Sequence, residues 1–237
     1  VVLIHGGCWR DRFGLDRLGQ MARRLNQGGI AVWNLEYRRI NVEAEQPDNL
    51  RGGWPTTFMD VAAGADHLCS LADKYNLDLD RAVAVGHSAG GHLALWLGAR
   101  PKLPIESDLH TPDPLPFCGI VSLAGIPDLA TAQAEDICSG APAELMGGMP
   151  EERAERYAQG SPQALLPLGI RHCHLVGRED EIVPPDYLHR CVAEAQALGD
   201  QAQLHILPYA GHFEVVHPQS EAWAAVEMQI TLLLNGV

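Results

Sequence analysis

Between Ala82 and Ala99 the chain reads AVAVGHSAGGHLALWLGA, an apolar strand-like run that turns within a few residues into an apolar helix-like one. The turn is Gly86-His87-Ser88-Ala89-Gly90, a G-x-S-x-G. A strand can turn into a helix this sharply only if the positions two before and two after the serine lack side chains. The serine is then held in a strained backbone with its oxygen projecting above the sheet. The following helix aims its first amides and the positive end of its dipole at the same point. Ser88 is thus a candidate nucleophile, and the Ala89 amide is a candidate donor to an oxyanion formed there.

The rest of the chain supplies a frame for such a turn. Apolar strand-like runs at 1–4, 30–36, 82–86, 118–124, 170–176 and 202–208 alternate with helical patterns near 15–27, 56–75, 89–99, 185–198 and 215–234. That alternation predicts a single α/β domain over 1–237, a mostly parallel sheet with helices on both faces. Ligands in such sheets bind beyond the carboxyl ends of the strands. The segment 125–162, rich in Pro, Gly and Glu, reads as an irregular cap or lid over that edge. The chain opens on an apolar strand without a methionine, so further strands or a leader are expected upstream of Val1.

Composition narrows the partners. A formal charge of −13 opposes binding to nucleic acid or an anionic membrane, and no apolar run approaches the roughly 20 residues of a bilayer span. The six cysteines lack any C-x-x-C pair, which reads as reduced thiols in a cytoplasmic protein. Oligomeric state is left open by the sequence, a homodimer being one option.

Two further segments complete a constellation with Ser88. His5-Gly6-Gly7-Cys8-Trp9 directly follows the first strand, where a glycine-rich turn can point backbone N–H groups at a substrate oxygen. Gly7 and Cys8 join Ala89 as oxyanion-hole candidates, with His5 as a prop for the loop. Trp9 is read as core or as one wall of the substrate pocket, and His87 as part of that pocket or of the turn. Asp180 sits three residues after Gly177 at the end of the fifth strand, between Glu179 and Glu181. Its spacing suits an inward-turning carboxylate, and its neighbours read as solvated. His212, in Leu207–Phe213 (LPYAGHF), is the histidine on the turn after the last strand, whereas His92 and His217 read as helical and structural or exposed. The order Ser, Asp, His along a parallel sheet is that of the α/β-hydrolase fold. His172 and His174 share a strand face, but no third ligand follows at a familiar spacing, so no metal site is expected.

HGG-C-W, GHSAGGHL, GIPDL, Ser161-Pro162 and AGHF together resemble the kynurenine formamidase and related esterase branch of the α/β-hydrolases. The resemblance runs over nearly the whole chain. It implies a cofactor-free hydrolase acting on a small ester, or on the formamide of formylkynurenine, with Ser88, Asp180 and His212 as catalytic triad. Thioester hydrolysis is chemically close, and a catalytically silent binding protein is the reading from another class. One position departs: Cys8 stands where the formamidases carry an aromatic residue. The change keeps the backbone donor and removes a ring from the pocket.

Overall fold

The computed structural model describes residues 1–41 and 51–236. Six parallel strands form one sheet in the order β2-β1-β3-β4-β5-β6, namely β1 (Val2–Ile4), β2 (Trp33–Leu35), β3 (Val83–His87), β4 (Gly119–Leu123), β5 (His172–Gly177) and β6 (Ala202–Leu207). Every residue of β1, β3, β4 and β5 is buried, as expected for strands covered on both faces. β6, at an edge, shows exposed residues along its length. The strand-like run at 30–36 shortens to three residues, because β2 is the other edge and pairs only with the three residues of β1.

Eight α-helices occur among the described residues: α1 (Gly19–Gln27), α2 (Thr56–Tyr75), α3 (Ala89–Ala99), α4 (Leu129–Ala134), α5 (Ala141–Met146), α6 (Ala154–Gly160), α7 (Pro185–Ala197) and α8 (Trp223–Leu234). α3 packs on β1, β3 and β4 and is apolar nearly all round, which suits a helix enclosed between the sheet and its neighbours. α8 covers β3 and β4 from the other face, where Arg24 of α1 reaches Glu227 at 3.3 Å. The helix expected from residue 215 begins at Trp223 instead. Pro218 interrupts the pattern, since its ring cannot donate a helical hydrogen bond, and His217 lies outside the helix.

The segment 125–162 is more ordered than its composition suggests, and holds α4, α5 and α6. Its base is fixed by the residues of the GIPDL and Ser-Pro motifs. The Asp128 carboxylate accepts from the Ala130 and Thr131 amides and so caps α4, while the Ser161 hydroxyl donates to the Pro127 carbonyl at 3.1 Å. The cysteines also depart from expectation. Cys8 and Cys138 form a disulfide, and Cys69, Cys118, Cys173 and Cys191 are free. A disulfide persists most readily in an oxidising environment, contrary to the reading of uniformly reduced thiols.

Buried histidines tie the sheet to its helices. On β5 the ring nitrogens His172 Nδ1 and His174 Nε2 are 2.9 Å apart, so the pair bond each other. Burial lowers the His172 pKa, partly offset by Asp200, and burial with its neighbour pushes His174 well below the ordinary value. On α3, burial pushes His92 down to about 4. These rings are neutral when folded and take up protons near pH 6.5 when unfolded. The unfolded state therefore binds more protons in acid, and stability falls as pH drops below about 6.5. Melting followed by circular dichroism is expected to show a Tm about 10 °C lower at pH 5 than at pH 7.5. A flat profile over that range would contradict neutral burial of these rings.

Candidate active site

The strand order locates the site. The chain runs from β1 out to β2, then returns past β1 to β3, so the connections diverge between β1 and β3. In open parallel sheets that divergence leaves a crevice beyond the carboxyl ends. The register pairs Ile4 with Gly86, so the loop leaving β1 and the turn leaving β3 emerge level with each other.

Ser88 sits in that turn at φ 53° and ψ −121°, a conformation that side-chain-bearing residues rarely adopt. Its amide donates to the Leu123 carbonyl of β4 at 2.8 Å. The flanking glycines are required sterically. A Cβ on Gly86 would lie 1.9 Å from the Gly90 carbonyl oxygen, and one on Gly90 would lie 2.1 Å from that of Ile4. The turn thus closes directly onto the end of β1. Gly6 faces the serine, since a Cβ there would stand 2.9 Å from the Ser88 Cβ. Among the described residues the Gly7, Cys8 and Ala89 amides donate to no protein group. The two loops that carry them meet at Ser88.

The loop after β1 is held from below. Both ring nitrogens of His5 face acceptors, Gly6 O at 2.8 Å and Glu36 Oε1 at 2.7 Å. Tyr37 stacks on the His5 ring at 4.4 Å and donates its hydroxyl to the His5 carbonyl at 2.9 Å. Burial raises the Glu36 carboxyl, but hydrogen bonds from His5 and the Tyr37 amide outweigh it and leave its pKa below the ordinary value. His5 is therefore a prop, as its sequence position suggested. Glu36 and Tyr37 were missed by sequence reasoning, although their place just after β2 was a usable signal.

Trp9 does not form a pocket wall. It is fully buried, and its indole N–H donates to His92 Nδ1 at 3.2 Å. His92 in turn donates from Nε2 to the Gly160 carbonyl at 2.7 Å, which joins the loop, α3 and α6 in one chain of bonds. His87 is likewise a support and not a pocket residue. It is buried, and its Nε2 donates to the backbone carbonyl of His212 at 2.9 Å with the two rings 4.7 Å apart. Burial, then the neighbouring His212, push its pKa down to about 3, so it is a neutral donor.

Asp180 and His212 come together across the ends of β5 and β6. A Cβ on Gly177 would lie 2.1 Å from the Ala210 carbonyl, so these two loops are in backbone contact. Asp180 Oδ1 accepts from the Ile182 and Val183 amides at 2.9 and 2.8 Å. Its Oδ2 accepts from His212 Nδ1 at 2.8 Å. The carboxylate is buried with both oxygens hydrogen-bonded, whereas Glu179 and Glu181 are exposed. The bond to Asp180 fixes the imidazole tautomer and leaves Nε2 as its basic nitrogen. Phe213, 58% exposed, packs edge-on against His212 with ring centres 5.1 Å apart. It is the exposed apolar surface beside the imidazole, and sequence reasoning did not single it out.

A parallel sheet of this order, with chemistry-bearing loops at its carboxyl edge, is the α/β-hydrolase fold. Three solved structures that match the chain share that fold. A truncated carbohydrate esterase from gut microbiota superposes with a TM-score of 0.79 at 20% identity, over 99% of this chain and 85% of that one. A carboxylesterase from Lactobacillus plantarum gives 0.72 at 20% identity, over 98% and 83%. An acetyl ester-xyloside bifunctional hydrolase from Caldicellulosiruptor lactoaceticus gives 0.69 at 20% identity, over 99% and 78%. No curated protein matches the sequence. The family model described as BD-FAE matches residues 1–189, and the chain belongs to that family.

Replacing Gly90 by Ala is expected to lower turnover of any substrate by at least about 100-fold, since the added methyl must drive Ser88 and the β1 loop apart. It should also lower the Tm by several degrees. Steady-state kinetics and a thermal melt of Gly90→Ala check this, and a variant with wild-type turnover would refute the close packing of turn and strand.

Proposed function

We propose that the protein is a serine esterase that cleaves a small carboxylic ester through Ser88, His212 and Asp180. The observation that carries the reading is the 2.8 Å bond from His212 Nδ1 to the buried Asp180 carboxylate, on a loop anchored by the residue next to Ser88. His212 Nε2 takes the proton of the Ser88 hydroxyl as its oxygen attacks the acyl carbon. The amides of Gly7, Cys8 and Ala89 hold the negative charge of the tetrahedral intermediate. Asp180 stabilises the imidazolium, which then protonates the leaving alcohol. Water, activated in the same way by His212, releases the acyl group from the serine.

The matched structures support an ester as the bond broken, since they are a carbohydrate esterase, a carboxylesterase and an acetyl ester-xyloside bifunctional hydrolase. Two of the three concern carbohydrate, so the alcohol we assign is sugar-like and the acyl group short. Phe213, exposed beside His212, offers that alcohol an apolar ring face.

A panel of an acetylated xyloside, aryl esters of increasing chain length, a thioester and an N-formyl aryl amide tests the assignment. Short acyl esters are expected to turn over fastest. Preference for the formyl amide would move the protein to the formamidases, and preference for the thioester would make it a thioesterase. Ser88→Ala is expected to lose at least about 10,000-fold in kcat with its melt unchanged, and Asp180→Asn about 1,000-fold or more. Wild-type turnover in Ser88→Ala, or no labelling of Ser88 by a fluorophosphonate, would sink the mechanism.

A further inference from the structure

We infer that the Cys8–Cys138 disulfide is a positioning cross-link for the oxyanion hole, and that its reduction by a dithiol lowers turnover by releasing the Cys8 amide. The inference rests on the reading of Ser88 and the loop amides given above.

Cys8 and Trp9 both adopt left-handed backbone, at φ 51° and φ 56°. Two successive non-glycine residues in this region are costly and persist only where their surroundings impose the conformation. Trp9 is imposed by complete burial and by its bond to His92. Cys8 is only partly buried, and its side chain is fixed by the bond to Cys138. The amide that the left-handed turn presents belongs to the same residue as the sulfur.

Cys138 lies 130 residues further along the chain, in the turn between α4 and α5. The cross-link therefore fastens the cap to the oxyanion loop. A direct polar restraint spans the same gap: Arg10 donates to Glu144 from Nε and Nη2, both at 2.7 Å, and to the Ser139 carbonyl at 2.8 Å. That pair is bidentate but partly exposed, and it holds residue 10, whereas the disulfide acts on residue 8 itself. The covalent bond is the stronger hold on residue 8.

Its opening balances as an ordinary thiol–disulfide exchange. One thiolate of a dithiol attacks a sulfur of the pair, giving a mixed disulfide and one cysteine thiolate, which takes up a proton. The second thiol of the reductant then displaces the other cysteine. Two electrons pass to the protein, both cysteines end as thiols, and the dithiol ends as a cyclic disulfide.

The test measures kcat and KM for a short-chain aryl ester in the purified enzyme, after dithiothreitol, and after reoxidation. Alkylation and mass spectrometry report the state of Cys8 and Cys138, and circular dichroism reports the fold at the assay temperature. Reduction is expected to lower kcat at least about tenfold while KM changes less than about twofold, because oxyanion donors act on the transition state more than on bound ester. Reoxidation restores kcat. Cys138→Ser leaves the Cys8 amide in place and is expected to show the lowered kcat from the start, with no response to dithiothreitol. Cys69→Ser is expected to respond as the wild type does. Unchanged kcat with both cysteines alkylated would overturn the inference. So would free Cys8 and Cys138 thiols in fully active enzyme, or a kcat loss that tracks lost circular dichroism. Fluorophosphonate labelling separates this reading from the one beneath it. Labelled Ser88 with kcat indifferent to reduction removes the cross-link alone, whereas fully active enzyme with unlabelled Ser88 removes the nucleophile.

Discussion

The backbone of the turn after β3 lies against the end of β1 at a separation that no side chain could share. A Cβ on Gly90 would meet the Ile4 and His5 carbonyls at 2.1 and 2.5 Å. This contact sets the distance between the nucleophile candidate and the loop that carries two of the three oxyanion amides. It also explains why β1 and β3 must be sheet neighbours, although β2 and α2 separate them in sequence. Shift either strand by one residue and its side chains would turn to the opposite face of the sheet.

Around that contact, four histidines do four different things, distinguished by what their second nitrogen meets. His5 is stacked by Tyr37 and bonded to Glu36 beneath the glycine loop. His92 accepts from Trp9 and donates to Gly160, so it is a neutral bridge in the core. His87 donates to the His212 backbone and is held neutral by burial. His212 alone has a carboxylate on Nδ1 and an uncommitted basic Nε2. His87 and His92 are buried without a charged partner, which holds them neutral, whereas His212 has the buried Asp180 carboxylate beside it.

Segment 125–162 shows how a stretch of loop-like composition becomes ordered. Its helices are short, so their stability comes from anchorage and not from their own propensity. Asp128, Ser161 and Tyr187 fix its base, with the Tyr187 hydroxyl donating to the Asp128 carbonyl at 2.9 Å. Its far turn is fixed by Cys138 and by Glu144, both reaching the loop after β1. The motifs singled out in the sequence thus divide into candidate catalytic positions at Ser88 and His212, and scaffolding at Asp128 and Ser161.

The strands, the serine turn and the order of the candidate residues were legible in the residues alone, because period, glycine spacing and chain order belong to the chain before it folds. The buried strands, α2, α3 and α7 fell within a residue or two of their expected places, and Asp180 separated from Glu179 and Glu181 by loop spacing alone. Roles that depend on distant partners emerged with the folded chain. Trp9 and His87 became supports because His92 and the His212 carbonyl lie against them. Cys8, the position where an aromatic residue was expected, acquired its meaning from Cys138, 130 residues away. No spacing rule relates two cysteines that far apart in the chain, so their bond is visible only in three dimensions.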